Sequence, residues 1–236
     1  MKTKEYSLRE KKYAKTKIAI MNTFIEHLEK TRFEDISIRE ICKSVEVSEG
    51  TFFNYFPEKI DVIIYYLYLT TLKMIWKAQK KVPAGAYLPL IDYVFNQLSD
   101  ELSNNNVIYQ ILSVLIVQNE RPKKISISNL EKSLAFPNCE GIEKIPSVIL
   151  GEWFRECVIS ALKNGELPPK TNVDDVVISL MTIISGTLLS IRFRNSNSRG
   201  YHYMRQLQAL WREFGAKWHG LRLFRTSEFK KGLSYA

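Results

Sequence analysis

The sequence is poor in the residues that build cross-linked or turn-rich folds. It has three cysteines in 236 residues and no CxxC pair, so neither a disulfide scaffold nor a zinc finger is supported. Ten glycines and eight prolines are few for this length, which disfavours an all-β fold with many tight turns. The common catalytic and nucleotide-binding motifs (GxSxG, HExxH, the P-loop, GxGxxG) do not occur.

Long apolar runs are also lacking. The first 17 residues are polar and basic without an apolar core, so we expect no secretory signal. The longest uncharged stretch, 176–191, is shorter than the roughly 20 residues that span a bilayer, and it contains several Ser and Thr residues. We therefore expect a buried helix there and no membrane insertion. The three scattered cysteines favour a reducing, cytoplasmic location.

Positive charge is concentrated at the two ends of the chain. The formal net charge is +9, with +5 in the first 20 residues and +8 in residues 190–236, so the middle is slightly acidic. A basic amino-terminal arm that leads into a helix indicates a polyanion partner. A solvated, charged helix end is the alternative.

The periodicity of apolar residues is helical throughout. A first helix is predicted from apolar residues spaced three and four apart: Ala14, Ile18, Met21, Ile25 and Leu28. Ser37 and Glu40 have the spacing of a capping box that opens a short second helix, and Ser48 caps a third that ends at Phe56. Further helices are predicted over 59–81, 88–102, 107–118, 146–164, 173–193 and 201–219. No alternating strand pattern is convincing, so the chain is predicted to be all-α.

The second and third helices have the spacing of a helix-turn-helix. In such a unit the first helix braces the second, whose exposed face can enter the DNA major groove, about 12 Å wide. A generic helical hairpin is the alternative on spacing alone. The residues predicted to point outward from the third helix are Glu49, Gly50, Thr51, Phe53, Asn54 and Tyr55.

The segment from Phe33 to Lys59 resembles the DNA-binding segment of the tetracycline-repressor (TetR) family of bacterial transcriptional regulators. The family pattern is matched by Val47-Ser48, Gly50-Thr51, Phe56 and Lys59, with Ser37 in place of its Thr. The match covers about residues 10–65. The resemblance implies an all-α chain with an amino-terminal three-helix DNA-binding domain (1–60), a larger helical ligand-binding and dimerisation domain (61–220) and a tail (Leu221–Ala236).

The resemblance also implies roles for individual residues. Ser37 and Thr51 would hydrogen-bond phosphates, and Arg39 would reach a guanine edge. Ser48 would cap the recognition helix, and Gly50 would let its first turn approach the DNA. Lys59, together with the amino-terminal dipole of its helix, would pair with the DNA backbone. Tyr55 replaces the usual His and can still donate to a phosphate.

Four further positions depart from the family pattern. Val45 replaces a small Ala, which would change how the two helices pack. Phe53 stands where the family has a phosphate-contacting Tyr, although its ring could touch a thymine methyl group. Glu46 replaces the glycine of the turn, and a positive φ there would be strained for Glu. Glu49 is an acid on the reading face, where it could accept from cytosine or repel phosphate.

The function predicted from these residues is that of a homodimeric, ligand-responsive transcriptional regulator, in this family usually a repressor that a small molecule releases. The partner would be double-stranded DNA with a pseudo-palindromic operator, its half-sites one helical turn apart. The dimer is predicted through Val173–Phe193 and Tyr201–His219. No enzymatic activity, catalytic residue, cofactor or metal is predicted. The alternative is an adaptor of the same fold that does not bind DNA.

The helices after Lys59 are rich in aromatic residues, which are typical of a small-molecule cavity. We expect an apolar or aromatic effector in a pocket lined by Trp76, Tyr109, Trp153 and Met181. Filling of an ordinary core is the alternative use of these side chains.

Overall fold

A computed structural model of the chain describes residues 6–103, 107, 110–111, 114–115, 124–194 and 199–218. Every regular element in this part of the chain is helical, as the sequence predicts, and the part described contains no strand. The helices are α1 (Leu8–Leu28), α2 (Ile38–Ser44), α3 (Glu49–Tyr55), α4 (Lys59–Lys81), α5 (Tyr87–Ser103), α6 (Asn129–Ala135), α7 (Leu150–Lys163), α8 (Val173–Arg194) and α9 (Arg199–Glu213). Two short 3₁₀ turns cover Phe33–Asp35 and Ile142–Lys144.

Three features of the helix prediction need correction. The helix expected over 201–219 spans Arg199–Glu213, and the chain turns away at Gly215, which has a φ of 63°. The helix expected from residue 146 begins at Leu150, so Pro146 lies before its first turn rather than in it. Helix α6 was not expected, although Ser128 and Glu131 form a complete capping box at its start. The predicted helix 107–118 is described at five positions, all helical, and the tail Leu221–Ala236 lies outside the described residues.

The chain forms two compact units, the first from Met1–Trp76 and Asn106–Ile149 and the second from Lys77–Asn105 and Leu150–Ala236. Helix α4 contributes residues to both units. The resemblance implies a different boundary, near residue 60, between a DNA-binding domain and a ligand-binding domain. That functional boundary stays a prediction.

The core of the first unit joins α1 to the helix-turn-helix. All five residues of the predicted stripe on α1 are buried, and Ile20 and Phe24 widen it. Ile41 of α2 and Phe52 of α3 are fully buried in the same cluster. Burial of each such side chain contributes roughly 1.5–3 kcal/mol, so these contacts hold the two short helices on α1.

Aromatic rings form the centre of the second unit. The ring of Phe95 on α5 stacks on Phe154 of α7 at 5.5 Å and meets Tyr203 of α9 edge-on at 5.7 Å. The first turn of α5 is capped from a distant position, because the Glu166 carboxylate accepts from the backbone N–H groups of Tyr87 and Leu88 at 2.9 Å each.

Helix α8 is buried on one side only. Val176, Leu180 and Leu188 pack inside the second unit, whereas Ile178, 64% exposed, lies on the opposite side with Met181. The prediction that this helix is buried is therefore confirmed for one side of α8 and wrong for the other. By length and composition, its segment Val173–Ser190 could cross a membrane, with a mean hydropathy of 1.6.

Candidate nucleic-acid interface

The turn between α2 and α3 depends on one strained residue. Glu46 has a φ of 57°, and no other non-glycine residue in the described part of the chain has a positive φ. This is the position where the family pattern has glycine, so the expected strain on Glu46 is present. The turn is closed by a 2.9 Å hydrogen bond from the Val47 N–H to the Cys42 carbonyl oxygen.

Ser48 caps the recognition helix α3. Its hydroxyl oxygen accepts from the Thr51 N–H at 3.1 Å and lies 2.8 Å from the Thr51 hydroxyl oxygen. When Ser48 donates in that second contact, the proton of Thr51 is left to donate outward. The cap is therefore compatible with the phosphate contact predicted for Thr51.

The face of α3 opposite Phe52 is open to solvent. Glu49, Gly50 and Asn54 are exposed, and Phe53 is 46% exposed with its ring edge-on to Phe52 at 5.3 Å. A half-exposed Phe beside an amide side chain gives this face both an apolar contact and a hydrogen-bonding group. Such a combination can contact base edges in a groove.

The start of α2 carries two more of the predicted DNA-contacting residues, Ser37 and Arg39. The hydroxyl of Ser37 accepts from the Glu40 N–H at 3.3 Å, which is the first of the two hydrogen bonds in the capping box predicted for α2. Arg39, two residues into α2, is exposed. A cation and a hydroxyl at a helix amino terminus favour contact with an anion.

Tyr55 is packed more closely than the sequence predicts. It was expected to point outward, but its ring lies against Tyr13 of α1, with centroids 4.6 Å apart, and it is half-buried. Burial, and after it the negative charge of Glu131, raises the pKa of Tyr13. This contact places the exposed, basic first turns of α1 next to the end of the recognition helix. The exposed cations there are Arg9, Lys11, Lys12 and Lys15.

Lys59 has partners within the chain. Its ammonium donates to the Glu34 carbonyl oxygen at 3.2 Å and lies 4.8 Å from the centroid of the Phe33 ring. Burial lowers the pKa of Lys59, while the charges of Glu34 and Asp35 oppose that change. Lys59 thus fastens the start of α4 to the α1–α2 connection, and its two further N–H groups can still face a phosphate.

The four residues predicted to line an effector pocket are distributed over the chain. Trp76 belongs to the first unit, where its indole N–H donates to the Glu140 carbonyl oxygen at 2.9 Å. Trp153 is buried in the second unit, and Met181 there is partly exposed, near Gly151. Tyr109 lies outside the described residues.

Sequence reasoning missed the buried charges of the first unit. Lys17 on α1 and Glu131 on α6 form an ion pair with 2.9 Å between Nζ and Oε1. The pattern Ser128-x-x-Glu131 is the sequence signal that predicts the start of α6, but it does not predict the pairing with Lys17.

Solved structures resemble this chain over most of its length. A transcriptional regulator, FadR, from Bacillus subtilis, solved in complex with stearoyl-CoA, is 14% identical with a TM-score of 0.58, over 81% of this chain and 96% of that one. TylP, a TetR regulator from Streptomyces fradiae, is 16% identical with a TM-score of 0.59, over 95% and 90%. The fatty acid degradation regulator FadR from Bacillus halodurans is 13% identical with a TM-score of 0.57, over 93% and 99%.

No protein-family model matches the chain, and no curated protein sequence matches it. At identities of 13–16% the likeness concerns the fold. The fold of this chain is therefore that of TetR-type transcriptional regulators, as the helix-turn-helix residues imply.

Proposed function

We propose that this chain is a cytoplasmic, DNA-binding transcriptional regulator that works as a homodimer and responds to a small molecule. The observation that carries the proposal is the exposed face of α3. Its fully buried Phe52 anchors the helix, while Glu49, Gly50, Phe53 and Asn54 remain open to solvent. A capped helix held on two others, with one face free, is the arrangement by which a helix-turn-helix enters a major groove.

The exposed side chains have complementary tasks on DNA. Asn54 can pair with an adenine edge, Phe53 can contact a thymine methyl group, and Arg39 can pair with a guanine edge. Ser37 and Thr51 can hydrogen-bond phosphates, and such contacts fix the register of the protein on the duplex.

Selection of DNA from a random duplex pool by the full-length chain tests this proposal. We expect enrichment of a pseudo-palindromic sequence, bound with an affinity that falls steeply as salt is added. Asn54→Ala and Phe53→Ala should weaken binding to the selected sequence. Asn22→Ala, an exposed and uncharged change on α1, is the matched control. A folded chain that enriches no sequence would favour the adaptor of the same fold.

The exposed side of α8 supports the homodimer. Ile178, Met181 and Leu189 are exposed along it, and a Cβ added at Gly186 would meet nothing within 4 Å. Exposed apolar side chains, with a glycine among them that leaves open space, allow a second copy to approach closely. On α9 the large apolar residues Tyr203, Leu207 and Trp211 are used inside the second unit. We therefore expect α8 to supply most of the apolar contact between copies.

The effector is proposed to have an extended apolar part. The Bacillus subtilis regulator of this fold was solved with stearoyl-CoA, and the second unit here has an aromatic interior around Phe95 and Phe154. Helix α4 runs from Lys59 into the residues of the second unit, so a ligand that shifts α4 would move the start of the helix beside the helix-turn-helix.

Tryptophan fluorescence with a panel of fatty acids, acyl-CoA thioesters and aromatic compounds tests the effector. A true effector should change the emission and release the selected DNA in an anisotropy assay. The midpoint of release should lie at a higher concentration than that of binding to the free chain, because the coupling is reciprocal. Trp153→Phe should reduce the emission change. A compound that binds without changing the affinity for DNA would contradict the proposed coupling.

A further inference from the structure

A nearly buried ion pair links α1 to α6 in the first unit. The side chains of Lys17 and Glu131 are 13% and 6% exposed, and their charged groups are 2.9 Å apart. A charge removed from water is stable only with close partners, so each of these residues constrains the position of the other.

Three helices meet at the Glu131 carboxylate. The Tyr65 hydroxyl of α4 donates to Oε1 at 3.0 Å, beside the Lys17 ammonium. The N–H and hydroxyl of Ser128 donate to Oε2 at 2.8 Å and 2.6 Å. Burial alone would raise the pKa of Glu131, but these hydrogen bonds and the charge of Lys17 hold it below its usual value. The group is therefore an anion at neutral pH.

The ammonium of Lys17 lies close to three aromatic rings, two of which contact or follow the recognition helix α3. It lies 4.4 Å from the Tyr65 ring centroid, 5.8 Å from that of Phe56 and 5.9 Å from that of Tyr13. Phe56 directly follows the last residue of α3 and is its C-cap. Tyr13 packs on Tyr55, the last residue of α3. A cation over ring faces is attracted to them, so the place of Lys17 affects both contacts at the end of α3.

We propose that Glu131 is a positioning residue for DNA recognition, since it fixes Lys17, which in turn orients the carboxy-terminal end of α3 through Phe56 and the Tyr13–Tyr55 pair. The inference rests on the proposed function, in which α3 contacts bases. A helix of seven residues is too short to set its own direction, and base contacts tolerate errors of only about 0.5 Å. Glu131 therefore acts on the recognition helix from a position more than 70 residues beyond it in the sequence.

The test compares selected and scrambled DNA with the full-length chain. Glu131→Gln keeps the shape of the side chain but removes the charge that holds Lys17. Loss of an acid should by itself strengthen binding to a polyanion, so weaker binding cannot come from net charge. We expect about a tenfold loss of affinity for the selected duplex and less than about a twofold change for the scrambled one. Glu26→Gln, exposed on α1, removes the same charge as the matched control and should bind both duplexes at least as tightly as wild type.

Two further sets of variants separate positioning from stability. Lys17→Met combined with Glu131→Gln should lose no more affinity than the worse single variant, because both break the same link. Lys17→Arg keeps the cation and should retain affinity. At the half-exposed end of the link, Tyr13→Ala should lose preference for the selected duplex, whereas Tyr13→Phe keeps the ring and should retain it. Because Tyr13 is partly exposed, its two variants test the inference even if Glu131→Gln does not fold.

Wild-type affinity in both Glu131→Gln and Tyr13→Ala would overturn the inference, and so would equal losses on selected and scrambled DNA. A wild-type chain that enriches no sequence would instead overturn the proposed function, and the inference with it.

Discussion

The indole N–H of Trp211 donates a 2.8 Å hydrogen bond to Oδ1 of Asp92, a carboxylate buried in the second unit. Trp218 donates to the other oxygen at 2.6 Å. Burial raises the pKa of Asp92 to about 6, and the two indole hydrogen bonds oppose this rise. The second unit thus contains a carboxyl group that holds a proton more tightly in the folded chain than in the unfolded one.

Stability should therefore fall as the pH rises through the range set by Asp92. Below about pH 4 the group is protonated in both the folded and the unfolded chain, and its contribution to stability is fully present. Between about pH 4 and pH 6 the unfolded chain has lost this proton while the folded chain still holds it, so about 2–3 kcal/mol of stability is lost over this range. Above about pH 6 the loss levels off, because the folded chain then ionises as well. Urea unfolding of the chain at pH 4 and pH 7 measures the difference.

Asp92→Asn removes the charge and keeps one acceptor for the indoles, so it should reduce this pH dependence by about the same amount. Asp175→Asn, an exposed carboxylate on α8, is the matched control and should leave the pH dependence unchanged. Parallel stability curves for wild type and Asp92→Asn would show that Asp92 does not titrate in this range.

Gly50→Ala should separate folding from DNA binding. A Cβ at this position meets only the Ser48 hydroxyl oxygen, at an ordinary 3.9 Å, so the fold should accept it and gain up to about 1 kcal/mol in helix propensity. The added methyl would stand on the face that approaches DNA, so affinity for the selected duplex should fall about tenfold. Thermal unfolding and fluorescence anisotropy measure the two effects, and unchanged affinity would mean that this turn does not approach DNA closely.

Gly186→Leu tests the proposed dimer without disturbing the interior of the unit. The position is open within the chain, so the variant should fold normally but obstruct a second copy. Sedimentation equilibrium should give about twice 27.5 kDa for wild type and a weaker dimer for the variant. Lys81→Leu adds the same side chain at the exposed end of α4 as a control. A wild-type monomer at micromolar concentration would refute the dimer.

Lys59→Met keeps the aliphatic stem over Phe33 but removes the charge. If the ammonium also reaches a phosphate, the slope of log affinity against log salt should become shallower by about one unit, equally for selected and scrambled DNA. Lys30→Met, exposed beyond α1, is the control for a general loss of charge. An unchanged slope would limit Lys59 to its bond with the Glu34 carbonyl oxygen.

Arg39→Ala should relax sequence choice rather than weaken all binding. An exposed Arg that reads one guanine contributes about 1–3 kcal/mol of discrimination at that base pair. Repeating the DNA selection with the variant should show one degenerate position in each half-site. A selected sequence identical to that of wild type would remove Arg39 from base recognition.

The parts of this protein that the sequence determines are those made by neighbours along the chain. The caps by Ser37 and Ser48, the tight turn at Glu46 and the stripe of buried residues on α1 depend on residues at most a few positions apart. Hydrogen bonds within one helical turn follow directly from the order of residue types, so the helix-turn-helix could be predicted.

Only the tertiary structure decides which distant residues become partners. The pairing of Lys17 with Glu131, of Tyr13 with Tyr55 and of Trp211 with Asp92 requires helices far apart in the sequence to pack together. Apolar periodicity shows that a helix has a buried side. It does not identify the partner, because a core accepts many apolar neighbours of similar shape. Local sequence thus determines the recognition helix. Long-range packing determines which residues contact its carboxy-terminal end and which side of α8 is exposed to solvent.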